Sequence, residues 1–173
     1  MEKLSLPALL APGGAPYQVG ITVPKLEPAV EAYIAVTGGG PFSVWTYDRS
    51  ELVKESAFRG EDAPYAARIA IDASSPQVEY IEPIDGGVSI VHEHVERHGY
   101  GLHHLGFKVD DFEAAIAAMD AAGFAPIQSL SGWGLDGDGA AVFFDTFEAL
   151  GFWAEIVSPA ARRRPPHGSI PAA

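Results

Sequence analysis

Gln18-Val-Gly-Ile-Thr-Val-Pro-Lys-Leu-Glu-Pro-Ala-Val-Glu-Ala and His104-Leu-Gly-Phe-Lys-Val-Asp-Asp-Phe-Glu-Ala-Ala-Ile-Ala-Ala are two versions of one pattern, set 86 positions apart (104 − 18). Glycine, valine, glutamate and alanine recur in register. Each copy closes on a short apolar strand with glutamate in second place and proline last: Val78-Glu-Tyr-Ile-Glu-Pro83 and Ala154-Glu-Ile-Val-Ser-Pro159. A repeat of this kind means one supersecondary unit used twice. The repeated positions also hold Gln18, Glu79, His104 and Glu155, all side chains able to ligate a metal.

Around the two quoted stretches the order is strand, helix, then several strands, twice over. Gln18 to Val23 alternates as a strand, and Leu26, Val30, Tyr33 and Ile34 fall at helical spacing before Gly38-Gly-Gly-Pro41 stops the helix. Phe42 to Tyr47, Leu52 to Phe58, Ala66 to Ile71 and Gln77 to Ile81 are strand candidates. Residues 84–99 read as a connector, with Ser89 as a cap and Gly99 as the stop. The second copy has a strand at His103 to Val109 and an Asp110 or Asp111 cap on a helix marked by Phe112, Ile116 and Met119. Strands near Ile127, at Ala141 to Asp145 and at Phe152 to Val157 follow. Residues 1–15 read as a loose arm and residues 160–173 as a Pro-rich tail.

Composition excludes several classes. With 11 basic against 23 acidic residues the net charge is −12, which argues against nucleic-acid or anionic-membrane partners. Arg162-Arg163-Arg164 is the only basic run. The absence of cysteine rules out disulfides, thiolate catalysis and sulfur-ligated metal, and suits a cytoplasmic setting. No apolar stretch is long enough to span a bilayer. The Leu4 to Ala11 run is broken by Pro7 and lacks a strong basic flank, so a secretory signal is not expected.

Side chains alternate across a strand. Gln18, Gly20 and Thr22 therefore share the face opposite Val19, Ile21 and Val23, and His104 stands opposite Leu105, Phe107 and Val109. The same parity sets Glu79 opposite Val78 and Tyr80, and Glu155 opposite Ala154 and Ile156. Four polar groups thus point away from the helix layer.

Two such units, each closed by a carboxylate, resemble the vicinal oxygen chelate superfamily, the fold of glyoxalase I and methylmalonyl-CoA epimerase. The resemblance spans residues 16–159 and rests on Gly101-Leu-His-His-Leu-Gly-Phe-Lys-Val-Asp-Asp and Val78-Glu-Tyr-Ile-Glu-Pro. It implies an α+β fold: two tandem βαβββ modules, residues 16–83 and 100–159, forming one curved eight-stranded sheet around one cavity, with helices outside. Carried over by position, the family's ligands fall on Gln18, Glu79, His104 and Glu155, an arrangement similar to that of glyoxalase I. The implied cofactor is one divalent ion (Zn, Ni, Co, Mn or Mg), since one imidazole and oxygen donors suit an open site rather than a closed structural zinc. A small-molecule substrate follows, and a homodimer is one assembly open to it.

The expected activity is that of an isomerase, epimerase or lyase moving a proton alpha to a carbonyl. Glu155 would be the base and Glu79 its counterpart on the opposite face, as the resemblance implies. The Glu-Gln-Gly type motif expected of methylmalonyl-CoA epimerases is not found around Glu61. Two other classes stay open: a metal-free binding protein of the antibiotic-sequestering type, and an Fe(II) dioxygenase, which would want two histidines and one carboxylate.

Five of the six histidines (His92, His94, His98, His103 and His104) crowd one segment. The expectation there is a wet connector surface rather than a second site, with His103 a packed or capping residue. Trp45 and Trp133 are candidate cavity residues. The Ser131-Gly-Trp-Gly-Leu-Asp-Gly-Asp-Gly stretch reads as a flexible loop or lid. Arg59 and Arg68 are the first candidates for charged substrate contacts in the first module, against the commoner role of each as a surface residue or salt-bridge partner.

Overall fold

A computed structural model describes residues 15–48 and 52–170. The first half runs β1 (Gln18–Thr22), α1 (Leu26–Thr37), β2 (Phe42–Asp48), β3 (Glu55–Phe58), β4 (Glu61–Asp62), β5 (Ala66–Ile71) and β6 (Gln77–Pro83). Helix α2 (Ile90–His98) leads into β7 (Gly101–Lys108), α3 (Phe112–Ala121), β8 (Pro126–Trp133), β9 (Gly139–Phe144), the short α4 (Phe147–Leu150), β10 (Trp153–Ser158) and β11 (Gly168–Ile170).

All eleven strands join in one sheet, ordered β11-β2-β5-β6-β1-β7-β10-β9-β8-β3-β4. Outward from the centre, β1-β6-β5-β2 and β7-β10-β9-β8 use the same sequence of connections, and β1 and β7 meet antiparallel between them. The repeat is thus a pseudo-twofold, with the quoted stretches on either side of its axis.

Three strands exceed the expected eight. The Leu52 to Phe58 segment does form a strand, β3, but it pairs with β8 of the other half, from Glu55 against Ser131 to Phe58 against Gln128. Buried Gln128 fixes that crossing: its amide nitrogen donates to the Ala57 carbonyl (3.0 Å) and its oxygen accepts from Ile90 N (3.2 Å). At the opposite edge, β11 pairs with β2. Residues 160–170 therefore end in a ladder rather than a loose tail. The arm expected over residues 1–15 lies, but for its last residue, outside the described residues.

Alternation sorts the core. Leu26, Val30 and Ile34 of α1 pack with Ile21, Val23, Val78 and Tyr80 on the outer face of the first half. Ala115 and Met119 of α3 do the same with Phe107, Val109, Ala154 and Ile156 in the second. Each fully buried aliphatic side chain contributes about 1.5–3 kcal/mol. The inner face carries Trp45, Ile69, Ile71, Ile81, Phe143 and Trp153.

The helix ends follow local chemistry. Gly38 closes α1 in the left-handed region (φ 71°), donating to Ile34 O. At the other end Glu82 Oε2 accepts from Leu26 N (3.0 Å), a carboxylate set against the positive end of the helix. Asp111 caps α3 by accepting from Ala114 N (3.0 Å).

Candidate metal centre

The central strands pair so that each polar side chain faces a glycine. Gln18 lies opposite Gly106 and His104 opposite Gly20 across the β1–β7 ladder. On the outer side of each strand, Glu79 of β6 pairs with Gly20 and Glu155 of β10 pairs with Gly106. The repeated glycine is therefore steric in origin. A β-carbon on Gly20 would stand 2.0 Å from His104 Cε1, and one on Gly106 would stand 2.6 Å from Glu155 Oε2.

These empty places let four side chains converge. His104 Nε2 sits 3.3 Å from Glu79 Oε2, 3.5 Å from Glu155 Oε2 and 3.5 Å from Gln18 Oε1. All four residues are buried. Among the described residues no three His, Cys, Asp or Glu side chains form a ready-made metal cage. The cluster is instead one nitrogen ringed by three oxygens, one of them an amide. Bonds of about 2.1 Å would set neighbouring ligands about 3.0–3.4 Å apart at octahedral or tetrahedral angles. The donor set fits a divalent cation on a further ground: Glu155 Oε2 is buried and has no hydrogen-bond partner.

Electrostatics agree with that geometry. Burial pushes the Glu155 carboxyl up to about 7, with His104 opposing the rise and the Glu79 charge adding to it. Burial works against protonation of His104, but the charge of Glu155 and the hydrogen bond and charge of Glu79 outweigh it and raise its value. A cation would favour the ionised form of Glu155.

His103 departs from simple alternation. The β1–β7 register passes from Gly20–His104 to Ile21–Leu102, leaving His103 in a β-bulge. The bulge brings the two adjacent rings together, with His103 Nδ1 2.8 Å from His104 Nδ1. Burial first, then the neighbouring His104 and His94, keeps His103 neutral by holding its value well below the usual range. With His103 as the acceptor, His104 would carry its proton on Nδ1 and present Nε2 to the three oxygens. Sequence parity missed this role; the doublet His103-His104 beside Gly20 is the only trace of it.

The wet-surface expectation for the connector histidines does not hold for His94. It is buried, accepts a hydrogen bond from Trp153 Nε1 at 3.1 Å, and is lowered to about 4 by burial, with His98 and His104 adding. His92 is half-buried and meets the Ile84 carbonyl at 2.9 Å and Ser89 Oγ at 2.9 Å. His98 stacks on Phe147 at 3.9 Å. Helix α2 carries an apolar floor on Ile90 and Val91, which turns this face inward.

The polar cluster opens into a cavity of about 910 Å³, counting space open to solvent at its mouth. Trp45, Tyr47, Tyr65, Leu130, Trp133 and Phe143 supply its apolar wall. Trp133 belongs to β8 rather than to a lid. The loop after it is tied down, since Leu135 N donates to Arg162 O (2.9 Å) and Asp138 Oδ2 accepts from Ala161 N (3.0 Å).

Arg59 and Arg68 are not among the cavity residues. Arg59 bridges to Glu93 of α2. Arg68 reaches Glu27 and Glu82, because strand parity sets it opposite Ile69 and Ile71, which line the cavity. The arginines that do line it are Arg163 and Arg164, from the C-terminal segment.

Paired βαβββ units meeting over a Gln-Glu-His-Glu cluster define a class of protein in which two modules share one polar site. The chain belongs to the Glyoxalase/Bleomycin resistance protein/Dioxygenase superfamily, whose family model matches residues 17–144. Solved structures with the same fold include a variant of Streptomyces coelicolor methylmalonyl-CoA epimerase in complex with 2-nitronate-propionyl-CoA, at 22% identity and TM-score 0.61 over 85% of this chain and 98% of that one. A methylmalonyl-CoA epimerase from Mycobacterium tuberculosis matches at 22% identity and TM-score 0.60 (88% and 90% covered), and a hypothetical protein of Bacillus halodurans C-125 at 17% and 0.60 (85% and 95%). No curated protein matches the chain in sequence. Among the described residues no helix is long and apolar enough to cross a membrane.

Proposed function

We propose that this chain is a divalent-metal-dependent isomerase, epimerase or lyase that moves a proton alpha to a carbonyl of a chelated small molecule. The observation that carries the reading is the convergence of Gln18, Glu79, His104 and Glu155, with Glu155 Oε2 buried and without a hydrogen bond. A lone pair left unsatisfied in a buried site costs about 1–3 kcal/mol, more when charged. In a metal-free binding protein only the His104 imidazole, 3.5 Å away, would offset that cost.

A divalent ion bound there supplies Lewis acidity that stabilises negative charge on a carbonyl oxygen when an adjacent C–H bond breaks. The protein does the rest. Gln18 and His104 hold no exchangeable role and fix position, His104 through its bond to His103. Glu155, whose carboxyl sits near neutral pH, takes the alpha proton while the C–H electron pair moves to the carbonyl. When Glu79, on the other module and also against His104 Nε2, enters the step carrying a proton, it delivers that proton to the opposite face of the carbon while Glu155 keeps the one it took, so the pair ends with one proton as it began. Aromatic walls keep bulk water from the reacting carbon.

The test is exchange of alpha protons with D₂O over a panel of hydroxy ketones, thiohemiacetals and acyl thioesters. Exchange in the parent that is abolished in Glu155→Gln, with metal retained, supports Glu155 as the base. Exchange that survives intact in Glu155→Gln assigns the proton to another group. No exchange with any panel member, despite bound metal, favours a binding protein.

A further inference from the structure

We propose that Arg164, with Arg163 beside it, forms an anion subsite in the cavity wall, so that the substrate is a carboxylate-bearing molecule with a flat apolar body lying between these arginines and the Gln-Glu-His-Glu cluster. Which end reacts rests on the function proposed above; the anion subsite stands on its own observations.

The C-terminal segment is a strap. After β10 it crosses the 134–138 loop, where Arg162 O accepts from Leu135 N (2.9 Å) and the Arg162 guanidinium pairs with Asp136. It then reaches the first half, where Arg164 O accepts from Trp45 Nε1 (3.1 Å), His167 N donates to Val44 O (2.8 Å) and β11 pairs with β2. The strap is therefore a fixed wall, held on both modules.

The three arginines divide their contacts. Arg162 is spent on Asp136 at the surface. Arg163 lies over the Trp45 ring, Cζ 5.7 Å from its centroid, and donates to Gln77 Oε1 (3.0 Å). Arg164 lines the cavity and its Nε is buried without a hydrogen-bond partner. Arg59, Arg68, Arg97 and Arg162 each have a carboxylate partner; among the described residues the two cavity arginines do not. In a chain with 23 acidic residues against 11 basic ones, that exception is selective. A guanidinium edge buried without an acceptor is unfavourable until an anion completes it, and a carboxylate does so with two parallel bonds.

Both arginines share one cavity lining with Glu79, His104 and Glu155. Trp45, Tyr47, Tyr65 and Trp133 line the same cavity, which suits a flat apolar body.

The probes are 2-naphthoate and its neutral isostere 2-naphthamide, titrated calorimetrically into the full chain after chelator treatment, so that no metal draws the carboxylate. Naphthoate should bind at least about ten-fold tighter than naphthamide in the parent and in Arg162→Gln. The preference should vanish in Arg164→Gln and survive in part in Arg164→Lys, which keeps the charge. Equal affinities, no binding of either probe, a preference that persists in Arg164→Gln, or tighter binding of 2-naphthyl phosphate overturns the proposal. Benzohydroxamate, titrated into the metal-loaded chain, reads the other end separately. Its failure to bind would count against the metal centre and leave the naphthoate result standing.

Discussion

Gly20 is the register partner of His104, and a β-carbon on it would stand 2.0 Å from the His104 ring. The strand backbone of one module is thus the floor on which the other module's imidazole lies. Gly20→Ala should displace that ring, lowering metal affinity about 10–100-fold and costing about 1–3 kcal/mol of stability. Gly106→Ala should act alike through Glu155 Oε2. Metal titration and thermal melts of the two variants check this; unchanged affinity in both would mean the cluster tolerates a shifted His104 and Glu155.

Among the histidines the effects should separate. His103→Ala removes the acceptor of the His104 Nδ1 proton and should weaken metal binding about 10–100-fold with little change in melting temperature beyond that of a cavity. His94→Ala breaks the Trp153 bond and should cost about 1–3 kcal/mol while leaving metal affinity near that of the parent. His92→Ala should leave metal affinity unchanged. Parallel melts and metal titrations distinguish stability from ligation, and loss of metal in His92→Ala would place the centre on α2 instead.

The contribution of Glu155 to stability should depend on pH with opposite sign in the two metal states. Glu155 is raised to about 7 from 4.5, chiefly by burial, and His104 is raised as well. Both folded values exceed the unfolded ones, so these two groups contribute stability that is lost as pH rises from about 5 to above 7, while His94 and His103, lowered by burial, contribute in the opposite direction as pH rises toward the usual histidine value. A divalent ion binds the deprotonated ligands, so its stabilising effect should grow over the same window. Melting temperatures with and without metal at about pH 5, 6, 7 and 8, for the parent and Glu155→Gln, isolate the Glu155 contribution: the metal-free parent should lose stability relative to Glu155→Gln as pH rises over this window. A metal-free parent that gains stability relative to Glu155→Gln contradicts the assignment.

Much of this architecture was legible because alternation is a local rule. Gln18, Glu79 and Glu155 sit in regular ladders, so counting by twos placed their apolar neighbours against α1 and α3. The same counting failed at His103, where one bulged residue joins two rings that parity separates. For Arg59 and Arg68 the commoner role, a salt bridge, is the one found, but the partners Glu93, Glu27 and Glu82 are distant in sequence or on another element and could not be named beforehand. His94 was misread because nothing local records that α2 lies against Trp153. The strap has neither period nor apolar run, and its strand of three residues exists only because β2 offers an edge. Arg163 and Arg164 reach the cavity wall by that route, which no local pattern encodes.

The central claim, that one divalent ion is held where the two modules meet, is tested most directly by elemental analysis of the chain purified without chelator, beside His104→Ala. The account expects about one metal per chain in the parent and a loss of affinity by orders of magnitude in the variant, whose nitrogen ligand is gone. A parent without metal that takes none up on titration, or a His104→Ala chain that keeps the full complement, would contradict it.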